Sequence, residues 1–409
     1  MFSRSSRRNG LRRVLLACLA GIFVLALGVM PGADAITGGL AAARTPGVTD
    51  DTILIGTFQA LSGPAAPIGV GVKKGLESYL NYVNEQGGVH GRKIKLIVED
   101  DGFQPSRTVA AVKKMVEQDG IFAIVGGLGT PTGLAVMDYV LEKQVPFVYQ
   151  GSGASVWADP PKKYYFPVQP NYTNEGALLA QYAVKELKAR KIAVIYQNDD
   201  IGKEGLAGMT RQLKKLGRAV DLAVGFAPSE MDFSSYVLKL QAANPDVVIL
   251  YCLAKPAAAV VKESQKMGFA PQFLTTYPNA DLAMFNLAGP AWNGVIIPGW
   301  VPILDEKDPD ARKFLGIFNK YYPKELPSGY VAAGFIAGEI FVEGLKRAGK
   351  DLTRDKLIAA LETLNSWDGI MAKDITYGPN ERSGKTSMYF LKGENNNYVT
   401  ISGWIKLGN

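Results

Sequence analysis

Cysteine and histidine are nearly missing from this chain. Its 409 residues contain two Cys and one His. Cys18 lies in an N-terminal apolar run and Cys252 in the apolar stretch DVVILYCL. Once the N-terminal run is set aside, one thiol is left, and no intrachain disulfide can form. Cys252 reads as a buried small hydrophobe. His90 stands alone in the turn EQGGVHGRK, with no His or Cys beside it. Zinc sites and Ser-His-Asp sites need more than this, so metal hydrolysis and triad chemistry lose their usual parts. The expectation is no metal, no cofactor and no catalytic residue.

A basic surface is missing too. The formal charge is +7, but five Arg and one Asp fall in residues 1–35, and without them it drops to +3. The rest has no Lys/Arg cluster interleaved with aromatics, so nucleic acid is not an expected partner. The N-terminus explains the imbalance. MFSRSSRRNGLRR is basic, Val14–Met30 is apolar, and PGADA ends in a small-x-small pattern. This is the layout of a secretory signal cleaved after Ala35, and the apolar run is short against the roughly 20 residues of a spanning helix. Ser6–Arg12 also resembles a twin-arginine signal, which leaves the export route open. No apolar stretch precedes Cys18, against a lipoprotein box. The product is expected to be periplasmic or at the cell surface, with residues 36–51 a flexible leader.

What is present is ordinary globular material, 47% hydrophobic and 20% charged. From Thr52 apolar strand patterns alternate with helical ones: strands at Ile53–Thr57, Lys93–Val98, Phe122–Val125 and Phe147–Tyr149, helices at Gly69–Asn84, Pro105–Gln118 and Pro131–Leu141. DPPKKYYFPVQPNYTNEG interrupts them and reads as a crossover. The alternation then restarts at Lys191 and runs to a strand at Val295–Ile297. A second break, PGWVPILDEKDPD, is followed by helices at Ala311–Tyr322, Val331–Arg347 and Thr353–Leu364. YFLKGENNNYVTISGW reads as a hairpin. The expected class is α/β, with two similar Rossmann-like blocks forming two lobes. Ligands of parallel sheets bind at the C-terminal ends of strands, so the default site is a cleft between the lobes.

Two small-residue turns fall at such ends. In FAIVGGLGTPTGLAVMDYV an apolar strand runs into glycines and then a helix. Read from Gly127, the third glycine of a dinucleotide fingerprint would fall on Thr132, and no G-K-[ST] follows. What remains is backbone N–H groups, a helix N-terminus and the Thr130 hydroxyl after Gly129. That set suits a carboxylate better than a pyrophosphate. Tight packing of strand on helix needs the same glycines, and the residues alone leave both readings open. Gly151, Ser152 and Gly153 form a second such turn, where small residues let backbone approach a ligand or simply make a loop.

Several stretches together resemble a known family: IGTFQALSGPAAPIGVGVKKGLESYLNYVNEQGGVHGRKIKLIVEDD, the FAIVGGLGTPTGLA turn, KIAVIYQNDDIGKEGLAGM, and MDFSSYVLKLQAANPDVVILY followed by FLTTYPNADLAMFNLAG. They are similar to leucine-binding-protein-like extracytoplasmic solute-binding proteins, which deliver ligands to ABC transporters of the branched-chain amino acid type. The likeness runs from about Thr52 to Trp404. It implies the type I periplasmic binding protein fold, with lobes at 52–168 plus 301–371 and at 169–298 plus 376–409. Three crossings would lie near Val168–Asn171, Pro298–Val301 and Ile370–Thr376. It further implies a monomer that closes on a small molecule, without catalysis, and docks on a membrane permease.

By the same resemblance Gly129 and Thr130 stand where the family holds a ligand carboxylate, and Gly151–Gly153 where it offers backbone groups. The family's site tyrosines fall on Ile68, Ile201 and Ala254, and the acid that meets the α-ammonium falls on Tyr277. A buried ammonium without an acceptor costs several kcal/mol. Unless Asp199, Asp200 or Asp281 supplies the charge, the expected ligand is an apolar or aromatic carboxylate without an α-ammonium. Tyr149, Trp157 and Tyr172 are candidates to stack on a ring. An extracellular ligand sensor and a Rossmann-like enzyme are the alternative readings.

Overall fold

Strand and helix alternate where the apolar periodicity places them. The computed structural model describes residues 45–406 apart from Glu306, so the signal read in residues 1–35 lies outside the described residues. The leader's end is docked rather than loose. Thr45 Oγ1 donates to Leu352 O at 3.1 Å, and the Leu54 N–H to Gly47 O at 2.7 Å. The flexible leader expected through residue 51 therefore does not extend past Thr45.

The chain runs through β1 (Thr52–Gln59), α1 (Ala66–Glu85), β2 (Lys93–Asp100), α2 (Pro105–Lys113), β3 (Ala123–Val125), α3 (Thr130–Glu142), β4 (Phe147–Val148) and β5 (Tyr165–Phe166). These strands form a parallel sheet in the order β2-β1-β3-β4-β5. Next come α4 (Tyr172–Lys185), β6 (Ile192–Gln197), α5 (Asp200–Lys215), β7 (Leu222–Phe226), α6 (Ser234–Ala243), β8 (Val247–Tyr251), α7 (Ala254–Lys266), β9 (Gln272–Thr275), α8 (Ala283–Ala288) and β10 (Ile296–Gly299). Three helices, α9 (Pro309–Tyr321), α10 (Gly329–Ala348) and α11 (Arg354–Leu361), precede a short pair, β11 (Ile375–Gly378) and β12 (Glu381–Lys385). The chain closes with β13 (Ser387–Glu394), β14 (Asn397–Thr400) and β15 (Ile405–Lys406).

The second sheet has the order β14-β13-β10-β9-β8-β6-β7. Its β6–β10 pairs are parallel, and β13 joins β10 antiparallel. Strand β8, VVILY, is buried at all five positions, as a parallel strand covered on both faces must be. The expected hairpin is β13–β14. Asn395 and Asn396 supply its two positive-φ positions, 52° and 60°, as a tight two-residue turn requires.

Two elements were hidden in the Pro-rich stretch read as a crossover. Strand β5 adds to the first sheet, and α4 starts inside the stretch, at Tyr172. The Asn171 side chain caps α4, accepting from the N–H groups of Thr173 at 2.8 Å and Asn174 at 3.2 Å. The chain passes from sheet to sheet between β5 and α4 and again after β10. The third crossing falls later than expected. The β11–β12 pair packs on the first crossing, with Tyr377 Oη donating to Pro167 O at 2.7 Å and Lys385 N–H to Val168 O at 3.2 Å. The chain enters the second sheet only at Ser387.

Helix α10 follows the second sheet in the chain yet belongs to the first lobe, because its backbone lies against α1. A Cβ on Gly75 would fall 1.8 Å from Val331 O, and one on Gly334 would fall 1.9 Å from Val72 O. Only glycine permits this approach from both sides. We expect Gly334→Ala to cost about 1–3 kcal/mol through the forced separation. Gly316→Ala in α9, where a Cβ meets nothing within 4 Å, should be neutral or stabilising by up to about 1 kcal/mol. Urea unfolding of the two variants checks this, and equal effects would contradict it.

Candidate functional site

The C-terminal ends of β3 and β4 create one wall. Gly126 and Gly129 follow β3 with φ of 82° and 102°, and Gly151 follows β4 with φ of 61°. The Gly129 N–H donates to Gly151 O at 3.2 Å, tying the two turns. Helix α3 starts at Thr130 with no side chain capping its N-terminus. A helix start in this condition presents unpaired N–H groups and a partial positive charge. Thr130 is 6% exposed, and its Oγ1 lies 2.7 Å from Ser152 Oγ. Ser152 Oγ also accepts the Ala154 N–H at 3.1 Å. Two hydroxyls from different turns thus meet beside an open helix N-terminus.

Sequence reasoning missed Phe103, which covers this wall. A Cβ on Gly129 would fall 2.2 Å from its Cε2. Phe103 has φ of 62°, a backbone that a bulky residue adopts only when held. Buried Asp101 holds it by accepting the Phe103 N–H at 2.9 Å and the Thr108 hydroxyl at 2.8 Å. The turn DDGFQP after β2 was the available signal.

The opposite wall is aromatic. Tyr172 begins α4, and its N–H donates to Gly153 O at 2.8 Å. Its ring stacks on Tyr277 at 6.0 Å between centroids, and Tyr277 meets Trp300 edge-on at 6.4 Å. The Tyr277 hydroxyl reaches Gly153, where a Cβ would fall 2.5 Å from it. It is buried with no hydrogen-bond partner. Burial pushes the Tyr172 hydroxyl up to about 12. Four hydroxyls, of Thr130, Ser152, Tyr172 and Tyr277, therefore converge from both lobes. The lobes touch again where Tyr330 Oη of α10 donates to Pro278 O at 3.2 Å, and where Glu204 Oε2 of α5 accepts from Ser155 Oγ at 2.7 Å.

Under the tyrosines lies Glu175, the residue the sequence reading overlooked along with α4. Its carboxylate is fully buried. It accepts the Tyr277 N–H at 2.6 Å, the Thr276 hydroxyl at 2.8 Å and the Tyr251 hydroxyl at 2.5 Å. Tyr251 Oη lies also 3.0 Å from Tyr172 O. Both site tyrosines are thereby tied to one carboxyl group. Burial raises Glu175 to about 7, against those three hydrogen bonds.

The remaining sequence candidates separate into groups. Ile68, Ile201 and Ala254 sit in the first turns of α1, α5 and α7, each half-buried at a helix start that follows a strand's C-terminal end. Tyr149 is buried with φ of 65°, and its hydroxyl is pushed up by burial, with the Tyr172 and Tyr330 hydroxyls adding. Trp157 is elsewhere. It stacks on Tyr165 at 5.9 Å and 2° and lies against Gly133 behind α3, so its ring packs in the lobe's core rather than against a ligand. Of the three acids considered as counter-charges, Asp199 caps α5 at the Gly202 N–H, and Asp281 accepts the Ala283 N–H at 2.8 Å. Asp200 is exposed. Among the described residues no group of His, Cys, Asp and Glu could hold a metal ion, and no helix is long and apolar enough to cross a membrane.

Glu175 gives a pH test. Its value is raised from 4.5 to about 7, so the folded state binds this proton more tightly than the unfolded one. The stabilisation is full below the unfolded value and disappears as pH rises through about 7. Between about pH 5 and about pH 8 the wild type is expected to lose on the order of 1–3 kcal/mol through this group. Urea unfolding of Glu175→Gln should show a loss smaller by that amount. Identical pH profiles would contradict it.

This geometry can be set beside known proteins. Residues 52–397 match the family model described as Periplasmic binding protein. An amino acid binding protein of Pseudomonas aeruginosa is 30% identical over 54% of this chain and 60% of its own length. Leu/Ile/Val-binding protein homolog 1 of Brucella suis is 26% identical over 60% of this chain and 66% of its own. In both cases the match spans less than two thirds of the relative. A solved substrate-binding periplasmic protein from Ralstonia solanacearum superposes with a TM-score of 0.75 at 26% identity, over 86% of this chain and 100% of that one. With two sheets of parallel strands and a family match over nearly all of the described residues, this chain belongs to the periplasmic binding protein family.

Proposed function

We propose that this protein captures a small carboxylate between its lobes outside the cytoplasm and delivers it to the membrane permease of an ABC importer. The ligand is apolar or aromatic and carries no α-ammonium. The observation that carries this reading is the uncapped start of α3 with Thr130 and Ser152 hydroxyls 2.7 Å apart beside it. Backbone N–H groups, a helix N-terminus and two neutral hydroxyls favour one anionic group of modest size. The Gly129–Thr130 turn and the Gly151–Gly153 turn supply that wall, and Tyr172 and Tyr277 close it from the other lobe.

The charge inventory supports the second half of the proposal. The carboxylates around the site are already engaged: Glu175 accepts three hydrogen bonds, Glu204 accepts the Ser155 N–H and hydroxyl, and Asp101 accepts the Phe103 N–H and Thr108 hydroxyl. Asp199 and Asp281 are engaged in capping backbone. An α-ammonium buried here would face hydroxyls and hydrocarbon, which costs several kcal/mol relative to water. Ile68, Ile201 and Ala254 put hydrocarbon at three helix starts of the cleft and suit an apolar side chain.

Calorimetric titration with 4-methylpentanoate, phenylacetate and leucine tests the reading. Binding of the first two over leucine is expected. Thr130→Ala should weaken the bound acid by about tenfold, the value of one hydrogen bond to a charged group, without lowering the unfolding midpoint by more than a few degrees. Unchanged affinity in that variant would overturn the carboxylate cradle.

A further inference from the structure

The Tyr277 hydroxyl is a buried site group that the carboxylate cradle leaves without a partner. We infer that it donates a hydrogen bond to an oxygen on the carbon next to the ligand's carboxylate, so that the site selects 2-oxo or 2-hydroxy acids with an apolar side chain. This rests on the carboxylate reading proposed above and adds the identity of the neighbouring substituent.

Three observations carry it. First, Tyr277 is 5% exposed and its hydroxyl has no partner. A buried donor left unpaired is a standing cost that a ligand acceptor would remove. Second, the hydroxyl is held in place. Tyr172 stacks on the ring, Trp300 meets its side, and Glu175 grips the backbone N–H at 2.6 Å. Third, the hydroxyl stands at Gly153, one residue from Ser152, whose Oγ meets Thr130. Adjacent Cα atoms are about 3.8 Å apart, so donor and cradle belong to neighbouring residues of one turn. The carbon beside the carboxylate is the first place along the ligand where such a donor would meet an acceptor.

The sign of the substituent follows from what surrounds it. The convergent groups are the hydroxyls of Thr130, Ser152, Tyr172 and Tyr277, all neutral. Glu175 lies below them, but its oxygens face Tyr251, Thr276 and the Tyr277 N–H, and the Glu204 carboxylate is taken up by the Ser155 N–H and hydroxyl. A phenol donor complements a carbonyl or hydroxyl oxygen and gives an ammonium no counter-charge. A site built to hydrogen-bond an oxygen also discriminates strongly against an analogue that lacks it.

The test uses four acids that differ only at the second carbon: 4-methyl-2-oxopentanoate, 2-hydroxy-4-methylpentanoate, leucine and 4-methylpentanoate. Each is titrated into the stripped protein, into Tyr277→Phe and into Thr130→Ala. In the wild type the oxo or hydroxy acid should bind about tenfold or more tighter than 4-methylpentanoate, and leucine weakest. Tyr277→Phe should collapse that ratio towards one, and Thr130→Ala should lower all acids together and preserve it. A wild type that binds 4-methylpentanoate as well as the oxo and hydroxy acids would overturn this inference and leave the carboxylate cradle standing. Leucine binding tightest, or a ratio untouched in Tyr277→Phe, would also overturn it. Failure of all four acids to bind would remove the cradle as well.

Discussion

The cleft side of the second lobe depends on one buried carboxylate. Glu175 sits in the first turn of α4 and collects three donors: a backbone N–H and a hydroxyl from the end of β9, and the Tyr251 hydroxyl from the end of β8. A carboxylate buried without such partners would be costly, and removing one partner would leave the remainder uncompensated. The strand ends and the helix must therefore keep their spacing. Glu339 repeats the device in the first lobe. It is buried in α10 and accepts the N–H groups of Met371 at 2.9 Å and Ala372 at 2.8 Å, along with that of Ile370. Burial raises it too to about 7. Each lobe thus anchors a loop segment with a carboxyl group that helix geometry places.

What these anchors hold up is a site lined by neutral groups. The converging groups are hydroxyls, backbone N–H groups and aromatic rings beside the partial positive end of α3, and the neighbouring Glu204 carboxylate is engaged by Ser155. Such a set recognises an anion through oriented dipoles rather than through an ion pair. The hydroxyls are shared between lobes: Thr130 and Ser152 belong to one, Tyr172 and Tyr277 to the other. The site is therefore complete only where the two lobes meet.

Membership of the periplasmic binding protein family accounts for the architecture, but the site residues give this chain its own character. Tyr277 stands at the place where the resemblance puts an acid, and Ile68, Ile201 and Ala254 stand where it puts tyrosines. Changes of this kind alter hydrogen bonding and charge without disturbing the sheets. Trp157 shows the opposite case: an aromatic residue in a cleft loop whose ring packs on Tyr165 and Gly133 inside the lobe. Proximity in the chain to a functional turn did not decide where that ring points.

The sequence by itself determined the two α/β blocks, because buried parallel strands such as VVILY and amphipathic helices carry their periodicity locally. It likewise determined the Asn-Asn hairpin turn and the glycine turns ahead of α3, since positive φ restricts residue type. It concealed α4, whose first turn is polar and follows a Pro-rich run, and with it Glu175. The tertiary structure decided which hydroxyls meet, because Thr130, Ser152, Tyr172 and Tyr277 are brought together across the lobes by pairings that no local pattern encodes. It also decided how closely α10, already placed in the first lobe by the resemblance, lies on α1. Gly75 and Gly334 reveal their purpose only when two helix backbones come into contact.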